Sequence, residues 1–368
     1  MKISAYIKRP HWLYLFSLAA LLVFGSIAVY SATQSLGGAN SYFNQHILFI
    51  VIGIIVFTAI SVANGDLIKS LSWVVYGLGI LLLLVLFVQS KIHPSDTPLR
   101  WIFIGKLSIQ PSEFMKIGLI LGLARVLSES KSKNFVLFLK VMSLTLIPVG
   151  LIMLQPDLGT AVSLLAISLI LVFFSRVGVG YVLGFIASGI GILIAFKDKL
   201  FHEYQWNRIT SFLHPEKDPT GESWSVRQAL IAIGSGGLRG KGYMKGTQSK
   251  MGFLPDTQYS DFIFAVIGEE FGFFGCILLI SLFGLLLFSS IHIASETKDT
   301  FQKFAALGIV SLWTIQIIIN IGMNLSLLPV TGLPLPFVSY GGSALLTNML
   351  AAGIIYHVHI HKGQIHYI

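Results

Sequence analysis

Ten long apolar runs, separated by short polar segments, dominate the chain. A helix needs roughly 20 apolar residues to cross a bilayer, and in lipid a single spanning segment must satisfy all of its own backbone hydrogen bonds. The pattern therefore predicts ten transmembrane helices. They lie approximately at 12–32, 45–62, 71–88, 112–127, 136–154, 158–175, 178–196, 261–290, 304–328 and 339–357.

Composition supports this interpretation, since 54% of the 368 residues are hydrophobic and 11% are charged, with a mean hydropathy of +0.80. Such values exclude an ordinary soluble domain. The predicted fold class is an all-α polytopic membrane protein, with residues 1–368 as a single membrane domain. Residues 197–260, before the eighth span, form a large and partly structured extracytoplasmic loop.

The basic residues of the short loops set the predicted orientation, because short cytoplasmic loops are rich in Lys and Arg. If the spans alternate, most of these residues fall on one side, and both termini are cytoplasmic. The residues on that side are Lys2, Lys8, Arg9, Arg125, Lys131, Lys133, Arg176, Lys298, Lys303 and Lys362. The long outer loop is also basic, which leaves two interpretations open: an anionic outer ligand or contact with lipid headgroups.

The outer loop contains one apolar stretch, 225–233, that predicts a short helix. The glycine-rich sequence after it, "GSGGLRGKGYMKG", lacks the Ser or Thr that a P-loop places after its Lys. Its cations Arg239, Lys241 and Lys245 suit a diphosphate and lipid headgroups equally well. The glycines at 236, 240 and 242 are expected to permit movement of the loop.

Several ionisable residues fall at membrane depth, where they are costly and usually face a cavity or a partner. Glu113 and Lys116 share a helix face and can pair, either to shape a cavity or to contact a ligand. Asp157 follows a proline and predicts a helix N-terminus. Asp261 has two interpretations: a cap at the start of the eighth span or a general base beside the basic loop.

Five stretches together resemble one family, the SEDS proteins, and within it RodA more than FtsW or SpoVE. They are "RWIFIGKLSIQPSEFMK" (100–116), "LQPDLGTA" (154–161), "RQALIAIGSGGLRGKGYMKGTQ" (227–248), "FLPDTQYSDFIFAVIGEEFGFFG" (253–275) and "LLPVTGLPLPFVSYGGSA" (327–344). The chain departs from the usual motif in three places: Asp256 replaces Glu, Tyr259-Ser260 replaces His-Thr, and Ala344 replaces a second Ser.

The resemblance implies a peptidoglycan glycosyltransferase that polymerises lipid II into β-1,4 glycan strands during cell elongation. It implies one inverting displacement at the anomeric carbon, with Asp261 as general base and undecaprenyl diphosphate as leaving group. Glu270 is expected to be a paired internal acid. The residues expected to bind substrate are Arg100, Trp101, Gln110, Glu113, Lys116, Arg208, Gln228, Arg239 and Lys241.

The resemblance also implies a bacterial cytoplasmic (inner) membrane location with the active site facing outward. No tightly bound cofactor is expected, and a divalent cation, Mg or Mn, is compatible with a diphosphate leaving group. Expected partners are a class B penicillin-binding protein (a transpeptidase) and elongation proteins such as MreC and MreD, but not nucleic acid. Two alternatives stay open: a lipid II flippase or carrier, and a non-catalytic scaffold of the cell-wall complex.

Overall fold

A computed structural model describes residues 10–34, 39–92, 100–104, 107–131, 133–200, 210–214 and 221–361. Helices make up most of it, as the apolar runs predicted. In chain order they are α1 (Trp12–Thr33), α2 (Ala39–Ser61), α3 (Gly65–Ile92), α4 (Pro111–Glu129), α5 (Asn134–Met153), α6 (Leu158–Phe173), α7 (Val179–Leu200), α8 (Glu222–Gly236), α9 (Thr247–Lys250), α10 (Ile263–Glu296), α11 (Thr300–Asn324) and α12 (Gly342–His361).

All ten predicted spans coincide with helices, so the all-α membrane fold class is confirmed. Within the described residues, seven helices are long and apolar enough to cross a membrane: α1, α2, α3, α5, α10, α11 and α12. Apolar helices α6 and α7 contribute shorter segments, Leu158–Phe173 and Val179–Gly189. The one other predicted span corresponds to α4, which carries charged residues and is buried along most of its length. The number of membrane crossings stays a prediction.

The chain divides into two compact units. The first comprises residues 1–58, 207–290 and 316–350, and the second comprises residues 59–206, 291–315 and 351–368. The single-domain organisation and the outer location of 197–260 stay predictions. The short helix predicted at 225–233 lies within α8.

In the second unit, α3 and α4 pack closely because glycines lie at their contact. A Cβ on Gly118 would meet the backbone of Tyr76 at 3.1 Å. Farther along the chain, Thr145 on α5 donates its hydroxyl to Ser168 on α6 at 2.8 Å. Between α3 and α4 lies a hairpin that the sequence did not predict, β1 (Ile102–Ile104) and β2 (Leu107–Ile109), which pair antiparallel.

In the first unit, five helix ends come together around residues 258–261. Gln258 donates its side-chain amide to Ala32 O, near the C-terminal end of α1, at 2.9 Å. Tyr340, just before α12, donates its backbone N–H to Tyr259 O at 2.9 Å. The end of α11 and the start of α2 also contact this region, as described below. Alternating spans bring these five ends to one side of a membrane, so the contacts agree with the predicted topology.

The helix α10 is broken at Gly272, whose φ of 64° and ψ of −159° are not helical. Such a break leaves backbone groups unpaired, and the glycine-rich loop pairs with them. Phe273 and Phe274 donate their N–H groups to the carbonyls of Gly237 and Leu238 at 2.9 and 3.2 Å. In return, the N–H groups of residues 241 and 242 donate to the carbonyls of Glu269 and Glu270, both at 3.0 Å.

Candidate active site

Asp261 lies two residues before the start of α10 and is partly exposed. Its backbone carbonyl accepts hydrogen bonds from the side-chain amides of Asn320 and Asn324, both at 3.0 Å. These two residues are one turn apart on α11, so their side chains share one face. The carboxylate points toward the segment after α11, since Oδ2 lies 3.8 Å from the position of a Cβ on Gly332.

The two residues before Asp261 are fixed in the same manner. Tyr259 O accepts the N–H of Tyr340 at 2.9 Å, and Ser260 O accepts the hydroxyl of Ser339 at 2.5 Å. Three consecutive carbonyls are therefore held by donors from α11 and from the segment before α12. Because α10 begins at Ile263, the residue in the N-cap position is Phe262. Asp261, which the sequence offered as a cap, lies one residue before that position.

Burial raises the pKa of the Tyr259 hydroxyl, and the negative charges of nearby groups raise it further. These groups are Tyr42, whose hydroxyl is charged only when ionised, and the carboxylates of Asp261 and Asp256. The surroundings of Tyr259 are therefore electronegative, and its hydroxyl remains a hydrogen-bond donor at neutral pH.

The glycine-rich loop is anchored by Glu269. This buried carboxylate forms an ion pair with the ammonium group of Lys241 at 2.7 Å. It also accepts hydrogen bonds from the backbone N–H groups of Thr247, Gln248 and Ser249 at 2.7, 2.8 and 3.2 Å. Glu270 accepts the hydroxyl of Ser31 at 2.5 Å, which confirms the prediction that it is a paired internal acid.

Two glycines of this loop, Gly236 and Gly240, allow close packing, and the expected movement of the loop stays a prediction. A Cβ on Gly236 would collide with Gly268 O, and one on Gly240 with Glu270 O. Gly242, with a φ of +101°, adopts a backbone conformation that disfavours other residues.

The predicted cations of the first unit differ in what they contact. Lys241 is partly buried in its ion pair with Glu269. Arg239 is exposed, and its side chain makes no hydrogen bond or ion pair within the part of the chain that is described. Gln228 is half-buried on α8, and Arg208 lies outside the described residues.

The other predicted binding residues belong to the second unit, whereas Asp261 belongs to the first. Lys116 and Glu113 form a buried ion pair at 2.5 Å. Arg100 donates from Nη2 to Pro156 O at 2.5 Å and from Nε to Gln155 O at 3.2 Å. Arg100 thus fixes the turn before α6, where Asp157 accepts the N–H of Thr160 at 3.2 Å as the predicted helix cap.

The unpredicted hairpin explains how two further residues of this set come close in space. Its register pairs Ile102 with Ile109, so Trp101 and Gln110 are adjacent at its open end. Trp101 is 37% exposed. The backbone carbonyl of Gln110 accepts the N–H of Glu113 at 3.1 Å, and Gln110 is the residue directly before α4.

Sequence reasoning missed Asn320, Asn324, Ser339 and Tyr42. The sequence did contain a signal for the first two, "NIGMN", since two amides one turn apart in an apolar helix must find polar partners. No comparable signal exists for Ser339 or Tyr42, because both act through contacts with distant parts of the chain.

Comparison with known proteins supports the assignment that the motifs suggested. The model of the FtsW/RodA/SpoVE family, described as a cell cycle protein, matches residues 10–364. The chain belongs to this family, the SEDS family. It is 36% identical over 358 residues to the peptidoglycan glycosyltransferase MrdB of Escherichia coli K12, covering 95% of this chain and 93% of that one.

Solved structures of SEDS proteins have the same fold. The rod shape determining protein RodA of Thermus thermophilus matches with a TM-score of 0.70 and 27% identity, covering 96% of this chain and 97% of that one. A chain from a peptidoglycan synthase complex, studied for its coordination of polymerisation and crosslinking, matches with a TM-score of 0.81 and 26% identity. The match covers 96% of this chain and 98% of that one. This SEDS protein is therefore a multi-pass membrane protein, and its similarity to RodA is confirmed.

Proposed function

We propose that this SEDS protein is a peptidoglycan glycosyltransferase that polymerises lipid II, with Asp261 as its general base. The observation that carries the proposal is the position of Asp261, a partly exposed carboxylate whose backbone is held by Asn320 and Asn324. A general base must be held within hydrogen-bond reach of the proton it removes, and fixed backbone geometry serves this purpose. The similarity to MrdB supports the reaction class.

The proposed reaction is a single displacement. The 4-hydroxyl oxygen of an acceptor N-acetylglucosamine bonds to the anomeric carbon of the donor N-acetylmuramic acid, and its proton passes to Asp261. The bond between that carbon and undecaprenyl diphosphate breaks, and the diphosphate leaves with the electron pair. One base suffices because the anomeric configuration inverts without a covalent intermediate.

Negative charge develops on the leaving diphosphate and needs a nearby cation. We assign this role first to Arg239, since it is exposed and makes no ion pair among the described residues. Lys241, Arg100 and Lys116 also hold protein groups, so a contact with diphosphate would compete with those interactions. Arg208 remains a further proposed contact.

A divalent cation would neutralise part of the diphosphate charge when bound. No group of three or more potential metal-ligating side chains occurs in the described ranges. A cation that arrives with the diphosphate would not need such a group, because Mg²⁺ is usually held by one or two carboxylates together with substrate phosphates.

The proposal extends to a role in cell elongation, because RodA, a rod shape determining protein, shares the fold. A class B penicillin-binding protein is the proposed crosslinking partner, which is consistent with the similarity to a chain of a peptidoglycan synthase complex. MreC and MreD are further proposed partners. The proposed orientation has both termini in the cytoplasm and Asp261 on the outer side.

The test is polymerisation of lipid II by the purified full-length protein in lipid vesicles, alone and with a class B penicillin-binding protein. Wild type is expected to produce glycan strands, and Asp261→Asn to produce none. Asp256→Asn is the matched control, because Asp256 is an exposed carboxylate in the same stretch, and it is expected to retain activity.

Equal polymer from wild type and Asp261→Asn would disprove the assignment of the base. If lipid II crosses the vesicle membrane and no polymer forms under either condition, the carrier alternative replaces the polymerase. A protein that neither polymerises nor transports lipid II, but binds its partner, would instead be a scaffold.

A further inference from the structure

Three tyrosine rings form a cluster in the first unit. Tyr42 comes from the start of α2, Tyr259 from the segment before α10, and Tyr340 from the segment before α12. The ring centroids are separated by 5.2 Å for Tyr42 and Tyr259, 5.6 Å for Tyr42 and Tyr340, and 5.3 Å for Tyr259 and Tyr340. Each ring therefore contacts both of the others, at spacings typical of aromatic pairs.

The cluster lies beside Asp261. Tyr259 is two residues before it, and the negative charge of Asp261 contributes to the raised pKa of the Tyr259 hydroxyl. The hydrogen bond from Tyr340 N to Tyr259 O, 2.9 Å long, joins the segments that carry two of the rings. Two of the rings and the carboxylate therefore belong to backbone segments that are joined by a hydrogen bond, and Tyr42 packs against both of these rings.

The surface of the cluster is accessible and polar. All three tyrosines are partly exposed, and so is Ser260. The hydroxyl of Tyr340 donates to Oε1 of Gln45, an exposed side chain, at 2.7 Å. A surface of this kind offers aromatic rings together with hydroxyl and amide groups beside a carboxylate.

The electrostatics decide which ligand suits this surface. The carboxylates of Asp261 and Asp256 lie close enough to Tyr259 to raise the pKa of its hydroxyl, so this surface borders negative charge. An anionic group in direct contact with the rings would be repelled by these carboxylates. A neutral pyranose would not be, because its C–H face can lie against a ring while its hydroxyls bond to polar side chains.

We propose that Tyr42, Tyr259 and Tyr340 form a saccharide-binding subsite that holds the acceptor N-acetylglucosamine against Asp261. This inference rests on the proposed function, since the sugar held here carries the hydroxyl that Asp261 deprotonates. N-acetylglucosamine is the neutral sugar of lipid II, whereas N-acetylmuramic acid carries the stem peptide. Tyrosine is well suited to the task because its large amphipathic ring loses little conformational entropy on binding.

The test uses chitobiose, a neutral N-acetylglucosamine disaccharide, as a soluble probe of the full-length protein in detergent. Saturation-transfer difference NMR is expected to show its acetyl and ring protons in contact with wild type. Tyr259→Leu and Tyr340→Leu are expected to weaken chitobiose binding by about tenfold, because each removes a stacking surface. Tyr259→Phe keeps the ring and is expected to stay within a few fold of wild type.

Tyr181→Leu is the matched control. Tyr181 is a partly exposed tyrosine with aromatic contacts of its own, to Phe135 and Phe138, and it belongs to the second unit. A thermal unfolding curve of each variant checks its fold. If Tyr259→Leu does not fold, Tyr42→Leu and Tyr340→Leu take its place in the comparison.

Chitobiose binding that is unchanged in the folded leucine variants would overturn the subsite, as would an equal loss in Tyr181→Leu. In lipid II polymerisation, Tyr259→Leu is expected to raise the half-saturating substrate concentration by about tenfold, and Tyr259→Phe to restore it. Chitobiose binding in a wild type that makes no polymer would disprove the proposed function and leave the saccharide subsite standing. Polymer formation by a protein whose chitobiose binding does not depend on the tyrosines would support the proposed function and disprove the subsite.

Discussion

Asn324 donates its side-chain amide to the backbone carbonyl of Asp261 at 3.0 Å. The same amide also donates to Asn320 O at 2.8 Å, within α11. A single side chain therefore ties the orientation of the proposed base to the end of a long helix. This bond links residues 63 positions apart, which identifies α11 as the element that positions Asp261.

Asn324→Ala should slow polymerisation without abolishing the fold. Asn320 still donates to the same carbonyl in this variant, so one hydrogen bond is lost at a cost of about 0.5–1.5 kcal/mol. We expect kcat to fall about tenfold or more because the base is displaced. Steady-state kinetics should show the effect in kcat, with little change in the half-saturating lipid II concentration. Thr314→Val, on the same helix, removes only a bond to Val310 O and should leave kcat unchanged. An effect of equal size in both variants would contradict the positioning role.

Gly240→Ala should release the glycine-rich loop from the break in α10, because its Cβ would collide with Glu270 O. Gly237→Ala is the matched control, since it also has positive φ, +54° against +77°, but nothing lies near its Cβ. We expect a cost of about 1–3 kcal/mol for Gly237→Ala, because its φ of 54° and ψ of −144° suit glycine, and clearly more for Gly240→Ala, which adds the collision. Thermal unfolding and tryptic cleavage after Lys245 measure the difference. Equal cleavage rates would show that close packing at Gly240 does not hold the loop.

Lys116→Met should destabilise the protein strongly, by about 3–5 kcal/mol, because it leaves the buried Glu113 carboxylate without its partner. Adding Glu113→Gln should recover much of that loss, since the uncompensated charge is then removed. Lys69→Met is the control: its ion pair with Glu129 is partly exposed and should contribute no more than about 1 kcal/mol. Chemical unfolding of the four proteins measures these energies. A double variant no more stable than Lys116→Met would show that the carboxylate charge is not the cause.

Tyr340 should titrate well above an ordinary tyrosine, because burial raises its pKa to about 12. An unfolded tyrosine has a pKa of about 10. The raised value means that the contribution of Tyr340 to stability is complete below pH 10 and is lost as the pH rises through about 12. The measurement is the absorbance titration of folded wild type minus that of Tyr340→Phe. The missing step should lie near 12 in the folded protein and near 10 in denaturant, and a folded step near 10 would contradict the burial.

The sequence predicted the fold class because lipid imposes a strong constraint on composition. Every predicted span coincides with a helix, and the pairings of Glu113 with Lys116 and of Asp157 with its own helix end follow from local spacing. The hairpin at 102–109 escaped prediction because its strands are only three residues long. The close packing at Gly240 also escaped prediction, since a glycine that permits motion and one that permits close contact look alike in sequence.

What the sequence alone determined is the helical membrane fold and the short-range pairs, and its motifs led to the proposal of Asp261 as the base. Apolar length and spacing of three or four residues carry that information, because they act within one helix. Only the tertiary structure decided what surrounds Asp261. The amides of Asn320 and Asn324 on α11 bond to Asp261, the Ser339 hydroxyl bonds to Ser260 beside it, and Tyr42 and Tyr340 pack against Tyr259. Such contacts depend on how helices pack, which periodicity within one segment does not encode.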